Sequence, residues 1–485
     1  MAAVHGQNAE EKSSPRAVDR TVHLGVRWGV IAICALAFAL RVIALGSKSV
    51  FADEAASIRF AKLDWLSFWH LIWHSEANMA LYYVLLRFWV RLGDGPAAVR
   101  FLSVLPGVAT VPVIYLLGKE LFSPRSGLIA GLLFAVNGFH VAYSQAARGY
   151  SLVVLLVTLS SYFFVQAIKS PPRASRVAAL YLLTSAASLY AHLFAGFVLG
   201  AQCVALAFSR FTRAQLPRQS ARMLLVVLLS CPLLLFTARK GSSPLAWVQH
   251  PTAMDVYHFV TYLTGSGLKL LLYAAAFFLA LAEWRRRIRD AGMSWPFVFV
   301  ACWLVLPIFC TLAISHWVPV FSPRFLLICL PASVLLGAEG LAEIPRPGMR
   351  TVTTGLLIVS SLLSLKSYYH QPGIEDWKGA TEYLVGRLGR QDAIGFTSAY
   401  NLAPFEYYVQ HSGTVLESRN FIVGPPIAHA IASSRTRSPE RIWVMLCDEP
   451  DHAEIVLPPA SSYVRQQTAH FHGVEVVEFV RGGSC

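Results

Sequence analysis

The chain has 485 residues, of which 55% are hydrophobic and only 14% are charged, and its mean hydropathy is +0.52. This combination argues against a purely water-soluble protein, because soluble domains carry more charge and less apolar content. The net charge is +14, but the basic residues cluster in short loops between apolar runs and are not interleaved with aromatic residues. That placement is typical of membrane orientation and argues against nucleic-acid binding.

The apolar runs predict a polytopic α-helical membrane protein. Residues 1–22 are polar and predict a disordered cytoplasmic tail. Residues 23–367 predict a transmembrane domain of about eleven helices, because their apolar runs approach the length of about 20 residues that crosses a bilayer. The predicted spans are Gly25–Leu45, Ala97–Leu117, Gly127–Tyr143, Ser151–Ile168, Val177–Leu189, Phe194–Phe208, Met223–Phe236, Leu268–Leu281, Pro296–Ile314, Phe325–Leu341 and Thr351–Leu365.

The segment 46–95 is predicted to be a first outer loop that contains interfacial helices. Glu54–Trp73 mixes apolar and polar residues at helical spacing and is rich in tryptophan, a pattern typical of a helix lying in the membrane interface. Met79–Val90 is apolar but too short for an easy crossing. It predicts a second interfacial helix.

The distribution of Lys and Arg predicts the orientation of the chain. One set of alternate loops is rich in basic residues, and the N-terminus falls on that side. The positive-inside rule therefore places the N-terminus on the cytoplasmic side of a bacterial inner (plasma) membrane. An odd number of spans then places the C-terminus in the periplasm. The outer face also holds the loops 46–95, 144–150, 237–267 and 315–324.

Residues 368–485 change in character and predict a small periplasmic α/β domain. The runs DAIGF, RIWVML and VEVVEFV predict strands, and DWKGATEYLVGRL predicts an amphipathic helix. Cys447 and Cys485 fall in this domain. A disulfide between them and two unpaired thiols are both compatible with the sequence.

The outer face collects the candidate catalytic residues. Asp53 and Glu54 follow the first span, where two adjacent carboxylates are costly unless they are solvated, paired or bound to a metal. They are interpreted as a general base or metal ligand at the membrane surface. The alternative is a pair of acids that favours the dipole of a helix N-terminus.

Two arginines on the same face are candidate phosphate-binding residues. Arg148 lies in a tight apolar turn between two spans, and Arg324 lies at the start of a later span. Guanidinium groups bind phosphate bidentately, so a lipid-linked phosphate is a fitting partner. The alternative for each arginine is a side chain that reaches a lipid headgroup.

Three further residues on the outer face are weaker candidates for a pocket that these acids and arginines would form. His192 lies at a span end and is either a structural residue or, with Glu54, a candidate ligand for a divalent metal. His74 and Glu76 precede the second interfacial helix. They are interpreted either as part of the pocket wall or as residues of a solvated loop.

Several segments in order resemble the bacterial branch of the dolichyl-phosphate-mannose protein mannosyltransferase-like enzymes. These are GT-C fold glycosyltransferases, and their relatives include the lipid A aminoarabinose transferases. The resemblance runs from about residue 25 to about residue 410. It rests on the segments ADEAAS, LYYVLLRFW, AVRFLSVLPGVATVPVIYLLGKELF, GLIAGLLFAVNGFHVAYSQAARGYSL, YAHLFA, PVFSPRFLLICLPA and DWKGATEYL.

The resemblance implies a role for each residue that matches a family motif. Asp53 matches an acid that acts as the catalytic base or positions the acceptor, and Glu54 matches a second acid near the donor phosphate or a metal. Arg324 matches an arginine that meets the carrier phosphate. A QEAR-x-Y element is matched by Gln145, Arg148 and Tyr150, and the pocket wall includes Tyr82.

Three positions depart from the family pattern. An alanine replaces the usual acid of QEAR, which weakens a metal assignment there. Phe325 replaces a usual tyrosine. The segment EANMALYY, which includes Tyr82, replaces a His/Pro-Pro-Leu-Tyr-Tyr element, so the acceptor side of the pocket is expected to differ.

The function that these features predict is sugar transfer from a polyprenyl-phosphate donor. The acceptor would be a glycolipid, a polysaccharide or a protein at the outer face of the inner membrane. A transporter or flippase of lipid-linked sugars is an alternative, and so is a ligase or polymerase of lipid-linked glycans. A non-enzymatic assembly protein is a further alternative, against which the Asp53–Glu54 pair argues.

Overall fold

The structure is a computed structural model that describes residues 15–169, 175–208, 213–241, 245, 248–291, 295–389, 391–414, 421–423, 439–447 and 463–482. The first part of the chain is helical. Its helices are α1 (Pro15–Val42), α2 (Ala52–Lys62), α3 (Trp65–His74), α4 (Ala80–Trp89), α5 (Pro96–Leu121), α6 (Pro124–Ala135), α7 (Gly138–Ser144), α8 (Tyr150–Lys169), α9 (Ser175–Ala191), α10 (Ala195–Leu206), α11 (Leu216–Leu229), α12 (Cys231–Lys240), α13 (Ala253–Thr264), α14 (Leu268–Ala291), α15 (Trp295–Ser315), a 3₁₀ helix (Phe325–Cys329), α16 (Leu330–Ala342) and α17 (Pro347–His370).

The predicted fold class is confirmed, but the count of eleven spans is not. Each predicted span falls on helical residues. Within the described residues, six helices are long and apolar enough to cross a bilayer, or up to nine if three bent pairs each count as one span. The pairs α6–α7 and α11–α12 bend by 60°, and α13–α14 bends by 78°. Helix α1 also begins at Pro15, within the segment predicted to be disordered.

The first outer loop contains three helices. A single helix over Glu54–Trp73 was predicted, and this is wrong because the chain breaks at Leu63–Asp64. The Asp64 carboxylate accepts a hydrogen bond from the Ser67 N–H at 3.0 Å, so it caps a new helix, α3. The second predicted helix is present as α4. Three tryptophans of α3 are exposed, as expected for an interfacial helix: Trp65, Trp69 and Trp73.

The C-terminal part of the chain forms a five-stranded mixed sheet flanked by two helices. The strand order is β2-β1-β3-β5-β4, with β1 parallel to β2 and β3, and β5 antiparallel to β3 and β4. The three predicted strands and the predicted helix are all present. The elements are α18 (Trp377–Val385), β1 (Ala393–Phe396), α19 (Ala399–Ser412), β2 (Phe421–Val423), β3 (Arg441–Cys447), β4 (Tyr463–Phe471) and β5 (Val474–Arg481).

The helices α18 and α19 close one face of this sheet. Trp377, Phe405 and Trp443 are buried in their common core, since the aromatic side chains supply most of the apolar area between helix and sheet. Cys485, the proposed disulfide partner of Cys447, lies outside the described residues. The sheet domain also contacts the membrane body, where α19 packs against α2.

Candidate active site

The first turn of α2 presents two acidic side chains in different directions. Asp53 and Glu54 are consecutive, so they are rotated by about 100° from each other around the helix axis. The Glu54 side chain is fully buried, whereas that of Asp53 is 16% exposed. The two predicted catalytic acids therefore lie in different environments.

Glu54 forms a buried, bidentate ion pair with Arg100 of α5. Arg100 Nε donates to Glu54 Oε1 at 2.8 Å, and Nη2 donates to Oε2 at 2.7 Å. The other Arg100 N–H groups donate to the backbone carbonyls of Leu45, Lys48 and Ser49 at 2.9–3.0 Å. All five guanidinium donors are thus used, which offsets the cost of burying the charge.

Glu54 also binds the loop that carries Arg148. Its Oε1 atom accepts a hydrogen bond from the Ala147 N–H at 2.8 Å. The pair with Arg100 therefore joins α2, α5 and the loop 145–149. Ala147 is itself buried, and its backbone N–H meets the carboxylate of α2.

The residues present do not fit a metal site. Among the described residues there is no group of three or more His, Cys, Asp or Glu side chains that could hold a metal ion. Both oxygens of Glu54 already accept hydrogen bonds from Arg100. A metal role for Glu54 and His192 thus stays an unsupported prediction.

Asp53 lies beside the two candidate phosphate-binding arginines in the structure. Arg324 Nη1 donates to Asp53 Oδ2 at 2.9 Å, and Arg148 Nη2 lies 3.9 Å from the same oxygen. The Arg324 side chain is 25% exposed and that of Arg148 is 14% exposed. This group, Asp53 with Arg148 and Arg324, is called the acid–arginine cluster below. It is a charged, accessible surface beside an apolar body.

Arg148 is held by α2 and α4. Its Nη1 atom lies 3.3 Å from Ser57 Oγ and 3.3 Å from Tyr83 Oη, and 3.4 Å from the Asp53 carbonyl oxygen. Burial alone lowers the pKa of Arg148, but the neighbouring Asp53 and Tyr83 more than offset this, and the net shift is upward. The guanidinium is therefore a permanent positive charge with a defined position.

His192 and Glu76 border the cluster. Burial, together with the charges of Arg148 and Arg324, lowers the pKa of His192 to about 3, so its ring is neutral at physiological pH. The centroid of the His192 ring lies 5.0 Å from that of the Phe325 ring. Burial raises the pKa of Glu76, Arg148 partly offsets this shift and Asp53 adds to it. Both residues thus lie within electrostatic reach of the cluster.

The other predicted pocket residues have mainly structural contacts. The Gln145 amide donates to the carbonyls of Arg41 and Ile43, which lie at the end of α1. Tyr82 is buried, with its hydroxyl 3.0 Å from Ser103 Oγ. His74 is exposed and its ring is stacked on that of His70 at 4.1 Å. Tyr150 is buried, and its ring centroid lies 6.1 Å from that of His192.

A second buried arginine fixes the helices behind the cluster. Arg41 of α1 is fully buried. Its Nη1 atom donates to the carbonyls of Ala37 and Ala135 at 3.0 and 3.1 Å, Nη2 lies 3.0 Å from His140 Nδ1, and Nε donates to Ser144 Oγ at 3.3 Å. These acceptors come from α1, α6 and α7, so Arg41 holds the bend that precedes the loop of Arg148.

Sequence analysis missed several residues that build this site. Arg100 and Tyr83 lie within the motif segments and were not singled out. The rule that a charge near an apolar span needs a partner could have identified Arg100 as the partner of Glu54. Tyr83 gave no comparable signal, because an aromatic residue on a short apolar helix is expected to be in the core.

Comparisons with known proteins agree with this architecture. A family model described as dolichyl-phosphate-mannose-protein mannosyltransferase matches residues 78–237, less than half of the chain. The structure of ArnT from Cupriavidus metallidurans bound to undecaprenyl phosphate is similar, with a TM-score of 0.61 and 11% identity over 93% of this chain and 97% of that chain. No curated protein sequence matches the chain significantly.

Two further solved structures share the fold. The apo state of ArnT from Cupriavidus metallidurans gives a TM-score of 0.64 at 12% identity over 94% of this chain and 98% of that chain. The archaeal oligosaccharyltransferase AglB from Archaeoglobus fulgidus, in complex with an inhibitory peptide and a dolichol-phosphate, gives 0.54 at 11% identity over 88% of this chain and 69% of that chain. The chain has the GT-C fold. At these identities the likeness establishes the architecture, as the resemblance in the sequence implied.

The Glu54–Arg100 pair generates a prediction about stability. We expect Arg100→Met to lower the free energy of unfolding by about 3–5 kcal/mol, because it leaves the buried carboxylate of Glu54 without its partner. The measurement is unfolding in detergent followed by circular dichroism. Arg59→Met is the matched control, since Arg59 is 46% exposed and lies 3.7 Å from Glu406. Equal effects of the two substitutions would contradict the structural role of the pair.

The raised pKa of Glu76 generates a prediction about pH dependence. A raised carboxyl pKa means that the folded state favours the protonated form, so the free energy of unfolding falls as pH rises from the ordinary value of about 4.3 through the raised value. We expect Glu76→Gln to remove this fall and to be at least as stable as the wild type near neutral pH. Thermal midpoints measured across this range check it, with exposed Glu382→Gln as the control. If Glu76→Gln kept the pH dependence of the wild type, a raised pKa of Glu76 would not be its cause.

Proposed function

We propose that this chain is a membrane glycosyltransferase that transfers a sugar from a polyprenyl-phosphate donor to an acceptor hydroxyl. The observation that carries the proposal is the acid–arginine cluster, in which one partly exposed carboxylate lies between two arginines. Such a site offers a proton acceptor and two phosphate-binding cations together. The ArnT and AglB structures named above bind undecaprenyl phosphate and dolichol-phosphate respectively, which supports a donor of the same class.

The proposed reaction is a single displacement at the anomeric carbon. The acceptor oxygen forms a bond to that carbon while its proton passes to the Asp53 carboxylate. The bond from the carbon to the phosphate oxygen breaks, and its electron pair leaves with the polyprenyl phosphate. Arg148 and Arg324 stabilise the charge that develops on the phosphate. A single displacement inverts the anomeric configuration.

Glu54 has a positioning role in this proposal. Its oxygens are bound by Arg100 and by the Ala147 N–H, so it orients the two segments that carry Asp53 and Arg148. His192, which is neutral, and Glu76 border the space in which the acceptor would lie. The acceptor is a glycolipid, a polysaccharide or a protein that presents a hydroxyl group.

The reaction is proposed to take place at the outer face of a bacterial inner membrane. The basic residues in alternate loops favour a cytoplasmic N-terminus by the positive-inside rule. The segments that carry Asp53, Arg148 and Arg324 then lie on the periplasmic side, where the C-terminal sheet domain contacts the first outer loop. Carrier lipid and membrane-bound acceptor would meet at headgroup depth.

A transporter of lipid-linked sugars draws some support from the three bent helix pairs, because broken helices are typical of transport sites. At the α6–α7 bend, however, the Asn137 side chain is hydrogen-bonded within the protein. The Asn137 side chain accepts from the His140 N–H and donates to the Leu263 carbonyl. Arg41, a charged residue near the end of the first span, binds acceptors of the helices around it. These contacts favour a structural role for this bend and for Arg41.

The first functional test concerns Asp53. We expect Asp53→Asn to reduce sugar transfer to background, because the amide cannot take the acceptor proton, while expression and membrane insertion stay normal. The measurement is transfer in liposomes with a panel of radiolabelled polyprenyl-phosphate sugars. Asp64→Asn is the control, since asparagine caps a helix as well as aspartate does. Near-normal transfer by Asp53→Asn would refute the catalytic role.

The second functional test concerns Arg324. We expect Arg324→Ala to raise the apparent donor KM and to lower turnover, with a combined loss in kcat/KM of at least about 100-fold, because a charged hydrogen bond to phosphate contributes about 1.5–3 kcal/mol and more in a transition state. Arg91→Ala is the control, because Arg91 is an exposed arginine of the first outer loop, on the same predicted side of the membrane. An unchanged rate at limiting donor would count against a phosphate contact.

A further inference from the structure

The short segment between α1 and α2 is held by the C-terminal sheet domain. The Val50 N–H donates to Tyr408 Oη of α19 at 2.6 Å, and Ser49 Oγ lies 3.2 Å from the same hydroxyl. The Lys378 N–H donates to Ser49 Oγ at 3.2 Å. This segment leads directly into Asp53, so the domain reaches the chain within a few residues of the acid–arginine cluster.

A charged acceptor, the Glu375 carboxylate, also holds this segment. Its Oε2 atom accepts hydrogen bonds from the Ala52 N–H at 2.8 Å and from Trp377 Nε1 at 2.5 Å. Glu375 is 7% exposed and Trp377 is fully buried, so the carboxylate has a fixed place. The turn between β4 and β5 packs behind it, because a Cβ atom on Gly473 would lie 2.6 Å from the Ile374 carbonyl oxygen.

The first turn of α2 depends on acceptors from outside the helix. The first N–H groups of a helix have no partner within it, and a side-chain cap normally satisfies one of them. The N-cap residue is Phe51, whose side chain has no acceptor. The N–H groups of Val50, Phe51 and Ala52 are instead bound by Tyr408, Glu54 and Glu375 respectively, with N–H to oxygen distances of 2.6, 3.4 and 2.8 Å. Two of these three acceptors belong to the C-terminal domain.

The charge of Glu375 reinforces this arrangement. A negative group at a helix N-terminus is stabilised by the helix dipole. The carboxylate of Glu375 binds the backbone N–H of Ala52, the residue directly before Asp53. A shift of this turn would move the Asp53 carboxylate relative to Arg148 and Arg324, which are carried by other segments.

We propose that Glu375, assisted by Tyr408, is a positioning residue for Asp53, and that the C-terminal domain is an integral part of the active site. This inference rests on the proposed function for its catalytic consequence. Its structural part, the clamp on the first turn of α2, is independent of that function. Glu375 does not touch the reacting atoms and acts through the backbone of Ala52.

The catalytic consequence is a selective loss of turnover. Displacement of a catalytic group by about 1 Å costs about 100-fold in rate, so we expect Glu375→Ala to lower kcat by about 10- to 100-fold. The donor KM should change by less than about threefold, because Arg148 and Arg324 are not held by Glu375. Glu375→Gln retains a carbonyl oxygen that can accept from Ala52 and Trp377, so it should restore most of the turnover.

The structural consequence is measured separately by hydrogen–deuterium exchange of the full-length protein in detergent. We expect Glu375→Ala to speed exchange in residues 50–62 without a global change, and Glu375→Gln to resemble the wild type. Glu382→Ala, which removes an exposed acid from the adjacent helix α18, is the matched control. Tyr408→Phe removes the hydroxyl that accepts from the Val50 N–H and contacts Ser49 Oγ. It should speed exchange in residues 50–62 by a smaller factor than Glu375→Ala. It provides the test of the clamp if Glu375→Ala fails to fold.

The outcomes separate this inference from the proposed function. Unchanged exchange in residues 50–62 of Glu375→Ala and of Tyr408→Phe would overturn the clamp, whatever the activity. Faster exchange with wild-type turnover, in a protein that loses activity on Asp53→Asn, would overturn the positioning role alone. Equal loss of turnover in Glu375→Ala and Glu375→Gln with normal exchange would also overturn it. If Asp53→Asn retains transfer, the proposed function fails while the exchange result still decides the clamp.

Discussion

The buried ion pair between Glu54 and Arg100 determines where the other charged groups of the site can lie. A guanidinium and a carboxylate taken out of water are tolerated only when their hydrogen-bonding capacity is satisfied. Arg100 meets this condition through Glu54 and three backbone carbonyls of the segment before α2. Glu54 completes it by binding the Ala147 N–H. The ends of α1, α2, α5 and the loop of Arg148 are thereby fixed relative to one another.

Two consecutive acids divide the structural and chemical roles because of the geometry of the helix. Glu54 faces α5 and is completely buried, whereas Asp53 faces the arginines and stays accessible. The face of α2 opposite Asp53 carries Ile58 and Lys62. It lines a cavity of about 240 Å³ against α19. The same short helix therefore joins the membrane body, the acid–arginine cluster and the C-terminal domain. Its position cannot be changed at one contact without affecting the others.

Much of the fold and of the cluster followed from the sequence, because membrane physics leaves strong local signals. Apolar runs located the helices, and charges at span ends identified Asp53, Arg148 and Arg324. Other features left no such signal. The number of spans depends on whether short or bent helices cross the bilayer, which length and hydropathy do not decide. Glu375 and Tyr408 were missed because their partners lie more than 300 positions away in the chain, and no local pattern records such a pairing.

The long sequence separation of these contacts has a consequence for how the site is completed. Domains generally fold as units, beginning with the N-terminal part during synthesis, so the helices around Glu54 and Arg100 can pack before residues 375–408 exist. Until that last part of the chain docks, the N–H groups of Val50 and Ala52 lack these acceptors, and the first N–H groups of a helix have no partner within it. The geometry of Asp53 is thus fixed by the C-terminal domain, although all three charged groups of the cluster belong to the membrane body. In this molecule the sheet domain closes the helix turn on which the proposed chemistry depends.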